Sequence, residues 1–185
     1  MRNFLFVLAF VVLLSGCTFN APAYTVSIPN IQKLRDVGPS KVAVKDVTFP
    51  PSEKDKLNHV TLRGSSFNSP YDGSFAKYLR EALRQEFLEA GKLAEQSDLE
   101  LTGVMYRNEV DASGINVGNA SIGAQFTVRR NNAVKFDKKL SADHQWESSF
   151  AGAVAIPAAI NNYQTAVQKL LSTLYSDIEF QDSIK

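Results

Sequence analysis

Residues 98–146, DLELTGVMYRNEVDASGINVGNASIGAQFTVRRNNAVKFDKKLSADHQW, decide the fold. Leu99, Leu101, Gly103 and Met105 occupy alternate positions, as do Ile122, Ala124, Phe126 and Val128, and then Val134, Phe136, Leu140 and Ala142, with Lys138 the exception. Successive side chains of a strand point to opposite faces of a sheet, so each run presents one apolar and one polar face. Arg130-Asn131-Asn132-Ala133 separates the last two runs, and Asn tolerates the positive φ of a tight hairpin turn. Residues 111–119, with Gly114 and Gly118, read as a longer polar turn between the first two. The stretch therefore predicts an antiparallel meander with one face to be covered.

The cover comes from two amphipathic segments on either side. Before the meander, Phe75, Leu79, Ala82, Leu83, Phe87 and Ala90 follow a helical stripe in which Glu86 is the one polar member. Ser74 suits the N-cap and Gly91 the stop. After the meander, Ile156, Ile160, Tyr163, Val167, Leu170, Leu171 and Leu174 predict a helix over about 157–175, with Pro157 at its first position, followed by a polar tail over 176–185. Upstream, Val42-Ala43-Val44 and Val47-Thr48-Phe49 give a strand interrupted near Asp46, residues 57–63 a weaker strand, and residues 64–74 a loop. Two helices with single apolar faces and an antiparallel meander imply an α+β two-layer sandwich, with a mainly antiparallel sheet and both helices on one face.

The N-terminus carries an address. Arg2 precedes residues 4–14, an unbroken apolar run of 11 residues, too short for a membrane span of about 20 residues. It has the form of a signal-peptide h-region. Leu14-Ser15-Gly16-Cys17 follows, and this is similar to the lipobox of bacterial lipoproteins. That resemblance implies a diacylglyceryl group on the sulfur of Cys17, cleavage before it and acylation of its amine, palmitate being a typical chain. One acyl chain holds a protein to a bilayer marginally, whereas two or more anchor it. The expected divisions are a signal peptide over 1–16, a lipidated N-terminus and tether over 17–40, and one periplasmic domain over 41–185. Pro22, Pro29 and Pro39 mark the tether, whose ends would lie roughly 25 Å apart as a coil; Tyr24, Val26 and Ile28 alternate well enough to dock as an edge strand instead. Thr18, rather than Asp, follows Cys17, and by analogy with enterobacterial lipoproteins this points to the periplasmic face of the outer membrane rather than to the inner membrane.

Composition narrows the chemistry. The chain has 185 residues, 20 basic and 19 acidic side chains, and Cys17 as its one cysteine. There is no charge excess to draw nucleic acid, and lipidation of Cys17 would remove the one thiol. His59 and His144 lack neighbours at metal-ligand spacing, and Gly114, Gly118 and Gly123 lack the strand-loop-helix setting and lysine of a phosphate loop. Ser148 and Ser149 near His144 lack the strand-turn-helix elbow of a nucleophile. No catalytic set, metal site or cofactor motif emerges. Two features lean toward binding. Trp146, the one tryptophan, ends the last strand and suits either a core cap or an interface anchor. Residues 150–156, Phe-Ala-Gly-Ala-Val-Ala-Ile, form a charge-free apolar run, so Phe150, Val154 and Ile156 suit either the entrance to the last helix or the lip of a partner or ligand surface.

The lipobox, the Pro-spaced tether, the helix FAKYLREALRQEFLEAG followed by DLELTGVMY, and the closing hairpin and helix from 131 to 174 together resemble the YajG-like bacterial lipoproteins. Their order is similar to that of a wider group of small periplasmic α/β lipoproteins, which includes ABC-transport auxiliary lipoproteins and penicillin-binding-protein activators. The likeness spans about 42–178. It implies a non-enzymatic, membrane-tethered accessory or adaptor that docks on an envelope protein; carriage of a lipid or another apolar ligand is the alternative.

Overall fold

The structure is a computed structural model that describes residues 18–185; the expected signal peptide and Cys17 lie outside the described residues. In chain order the elements are β1 (Thr18–Asn20), α1 (Ile28–Asp36), β2 (Ala43–Thr48), α2 (Lys54–Asn58), β3 (Val60–Leu62), β4 (Ser65–Asn68), α3 (Phe75–Glu89), β5 (Leu99–Asp111), β6 (Val117–Arg130), β7 (Ala133–Glu147), α4 (Gly152–Ser176) and α5 (Ile178–Ser183). They form an α+β sandwich with two open sheets. The larger has the order β2-β5-β6-β7 and the smaller β1-β4-β3. Each contains one parallel pair, β2 with β5 and β1 with β4, beside its antiparallel pairs.

The meander forms as its alternation requires. Asn131 and Asn132 take φ of 49° and 67°, closing a two-residue turn between Arg130 and Ala133. β5 holds an irregularity that the alternation conceals: its register with β6 passes from Met105–Ala124 to Arg107–Gly123, so Tyr106 is an extra residue. Such a bulge flips the face of everything after it. Leu99, Leu101 and Met105 are buried before it, and Asn108 after it.

Helices α3 and α4 cover the inner face of the larger sheet. Ser74 caps α3 by accepting a hydrogen bond from the Lys77 N–H, and Gly91 takes φ of 74° just beyond the helix end. Between the layers Phe67, Phe75, Tyr78 and Tyr163 pack ring against ring at centroid separations of 5.0–5.5 Å. Tyr163 donates to Asn108 at 2.9 Å, and Asn108 donates to the Leu57 carbonyl, so the side chain turned inward by the bulge has its polar groups paired.

Five expectations need correction. The expected tether is part of the body: residues 18–20 form a strand, residues 28–36 a helix packed against α3 and α4, and Tyr24, Ile31 and Leu34 are buried. Tyr24, Val26 and Ile28 do not form an edge strand: Ile28 opens that helix, and Pro29 lies in its first turn. The weak strand over 57–63 is in fact the end of α2 followed by the short β3, and the loop over 64–74 contains β4. α4 begins at Gly152, so Pro157 sits inside it. Its ring leaves the carbonyl of Ala153, an exposed residue, without its helical donor. The polar tail is α5, capped by Asp177 and fixed by buried Phe180 and Ile184, an i,i+4 pair.

Candidate functional site

One end of the sandwich gathers four parts of the chain. β1 runs parallel to β4 with Thr18 beside Ser66, so the residue after Cys17 lies next to the β3–β4 turn. β5 ends, β6 begins, β7 ends and α4 begins at the same end. Arg63, in that turn with φ of 51°, ties these parts together. Its Nε donates to the Ala112 carbonyl at 2.7 Å, and its terminal nitrogens donate to the carbonyls of Gly114, Ser149 and Phe150. The Ser148 N–H also donates to the Asn116 carbonyl. The β5–β6 loop and the β7–α4 loop are thus held side by side by one guanidinium, whose planar fork suits several acceptors at once.

Four large apolar side chains are exposed at this end, beside the carboxylates of Asp111 and Glu147. Phe150 is 78% exposed, Ile115 64%, Val154 56% and Val117 50%. Of the residues expected to form a binding surface, Phe150 and Val154 therefore face out. Ile156 and Trp146 are partly buried and pack against the core. Trp146 stands opposite Gly118 on β6, and its ring lies so close that a Cβ at Gly118 would come within 2.5 Å of it. Its geometry is that of a core cap at the end of β7. Arg63, Ile115 and Val117 were missed from sequence; the signals were the Arg63-Gly64 turn pair and the two apolar side chains of INV inside a polar turn.

A buried polar centre fixes the chain between this end and the helices. Glu86, fully buried on α3, accepts from the Tyr24 hydroxyl at 2.6 Å, the Ser27 N–H at 3.1 Å and the Asn30 amide at 3.2 Å. Burial raises the Glu86 pKa, and the hydrogen bonds from Tyr24, Ser27 and Asn30 oppose that rise. Burial, with the nearby Glu86 charge, holds the Tyr24 phenol far above its usual range. Glu86 is thus the reason residues 24–30 dock instead of trailing as a tether.

The histidines do not form a site. His59 borders a cleft of about 540 Å³ lined also by Lys54, Asp55, Lys56, Asn58 and Asn68, and a second of about 270 Å³ with Tyr106, Asn108 and Glu109; His144 borders neither. His144 Nε2 is 2.8 Å from the Asn162 side-chain oxygen, with its ring against Trp146. Ser149 accepts from the Ala151 N–H, and Ser148 makes no side-chain hydrogen bond among the described residues, so neither serine is paired with His144. Among the described residues no three His, Asp or Glu side chains are grouped to hold a metal. Nor is any helix among them long and apolar enough to cross a membrane.

The fold places the chain among small open α+β sandwich domains. Protein XCC0632 from Xanthomonas campestris, described by the family model DUF330, shares this architecture with a TM-score of 0.61 at 15% identity, covering 89% of this chain and 96% of its own. An uncharacterised protein matches with a TM-score of 0.50 at 12% identity over 85% of this chain and 97% of its own. A minor lipoprotein from Acinetobacter baumannii is more distant, with a TM-score of 0.39 at 10% identity over 76% and 92%. No protein-family model matches the sequence, and no curated protein matches it either.

Proposed function

We propose that this is a lipid-anchored envelope protein, attached through Cys17 to the periplasmic face of the outer membrane, and that it acts as a non-enzymatic accessory docking on another envelope protein. The observation that carries the reading is the junction at residues 14–18. The lipobox Leu14-Ser15-Gly16-Cys17 runs directly into Thr18, the first residue of β1. The anchor is therefore joined to the folded body without a spacer. The resemblance to the YajG-like lipoproteins implies the same class of role. The sheet order supports docking through β7, whose 15 residues lie at an edge of the larger sheet and offer main-chain donors and acceptors to an added strand. Carriage of a lipid is less well supported, because the space between the layers is filled by aromatic rings and the two clefts at His59 are lined mostly by charged and polar side chains, with Leu57, Val60 and Val110 as the aliphatic members.

Two measurements test the proposal. Cells fed an alkyne palmitate analogue should label the wild-type chain in the membrane fraction, and Cys17→Ala should lose both label and fractionation. A photo-crosslinking residue at Lys139 or Ser141, on β7, should give one discrete adduct that disappears in the Cys17→Ala background. Unaltered membrane association of Cys17→Ala would overturn the anchor, and adducts indistinguishable from those of an unrelated envelope protein would overturn the accessory role.

A further inference from the structure

We propose that the apolar end around Arg63 is a membrane-contacting face, with Phe150, Val154, Ile115 and Val117 entering the lipid surface beside the acyl chains on Cys17. This rests on the reading of Cys17 as lipidated.

The position of the chain's anchor argues for it first. Consecutive Cα atoms are about 3.8 Å apart, so Cys17 cannot leave the neighbourhood of Thr18. Thr18 is fixed in a sheet beside Ser66, three residues from Arg63. Acyl chains on Cys17 must lie in the bilayer, which brings this end of the sandwich to the headgroups. A docked segment, held by Glu86, leaves no slack with which the body could lift away.

Charge argues for it independently. Asp, Glu, Lys and Arg make up 21% of the chain, yet none occurs in residues 18–32, 64–71, 112–128 or 148–168. They include β1, the start of β4, the β5–β6 loop and the β7–α4 loop, which meet at this end; the exposed carboxylates of Asp111 and Glu147, the last residues of β5 and β7, sit beside these loops, Glu147 opposite Val117. Burying a charge among acyl chains is costly, whereas exposed Phe, Ile and Val gain from leaving water. Arg63 is the cation at this end. Four backbone carbonyls and no carboxylate among the described residues face its guanidinium, a setting that favours an anionic headgroup nearby. The opposite end of the meander, at Asn131 and Asn132, is flanked by Arg129, Arg130 and Lys135 with Asp137, an ordinary solvated surface.

The test uses the full chain, processed in cells and reconstituted into vesicles of phosphatidylethanolamine and phosphatidylglycerol. Lipidation occupies the sulfur of Cys17, so Phe150→Cys, Val154→Cys, Ile115→Cys and Asn131→Cys each introduce the sole free thiol for a spin label. Mass spectrometry of the same samples reports the acylation of Cys17. The expected result is an acylated protein in which labels at 150, 154 and 115 collide preferentially with oxygen, which concentrates in lipid. The label at 131 should collide preferentially with a water-soluble nickel chelate. If the protein is acylated and all four labels favour the nickel chelate, the membrane face is overturned and the anchor stands. If it is acylated and the labels at 150 and 154 are shielded from both reagents, the end is covered by protein, a partner or a second copy, and the inference is overturned. An unacylated Cys17 would overturn both the anchor and the inference.

Discussion

Glu86 and Arg63 are the two side chains on which the arrangement turns. Glu86 interrupts the apolar stripe of α3, and its buried carboxylate is the acceptor for Tyr24, Ser27 and Asn30. Replacing it by Leu leaves those donors unpaired, and the expected loss is about 2–4 kcal/mol in urea unfolding. Its pH signature has a definite sign. Because the folded pKa is raised, the folded state takes up a proton that the unfolded state releases near the ordinary value of 4.5. The associated stability is fully present below that value and is lost as pH rises through the folded pKa. The stability of wild type relative to Glu86→Gln should therefore fall over that window, and a difference that rises there would contradict the assignment. Arg63→Ala removes four donors from carbonyls that water can partly reach, so about 1–2 kcal/mol is expected. Amide exchange in residues 112–116 and 148–151 should rise together, since one side chain holds both loops.

At the scale of elements, the sequence was most legible where a period persists. The three long strands, their Asn-Asn turn, the cap and stop of α3 and the body of α4 follow from alternation, a 3.6-residue stripe and turn chemistry. Short elements carry little period in three or four residues: β3 showed only as the weak strand over 57–63, β1 and β4 not at all, and all three owe their form to pairing with one another. α1 and α5 were hidden differently. Their few apolar residues, Ile31 and Leu34 in one and Phe180 in the other, with Ile184 just beyond it, become informative only once a surface exists for them to pack on. Of the expected binding surface, Phe150 and Val154 were found as exposed residues, while Trp146 and Ile156 turn into packing that alternation alone could not reveal. α5 makes a direct test of this view. Phe180 stacks edge-on against Phe136 at 5.5 Å, and its truncation in Phe180→Ala should cost about 3–5 kcal/mol in thermal or denaturant unfolding. Gly118 makes another: Gly118→Ala forces the Trp146 ring to shift, at about 1–3 kcal/mol, and the change should appear in the fluorescence of the single tryptophan.

The whole molecule has two unlike ends. One carries β1, the Arg63-held loops and the exposed apolar side chains of Phe150, Val154, Ile115 and Val117, with Asp111 and Glu147 at its rim. The other carries the Asn131-Asn132 turn among basic and acidic side chains. On the proposed lipidation of Cys17, that asymmetry would become an orientation, with the apolar end toward the bilayer and the edge of β7 left open to the proposed partner. Everything in this arrangement depends on what Cys17 carries. The decisive measurement is mass spectrometry of the N-terminal peptide of the protein extracted from membranes. The account predicts a mature chain beginning at Cys17 and bearing a diacylglyceryl group on its sulfur. A chain that retains residues 1–16, or begins elsewhere with an unmodified Cys17, would contradict it.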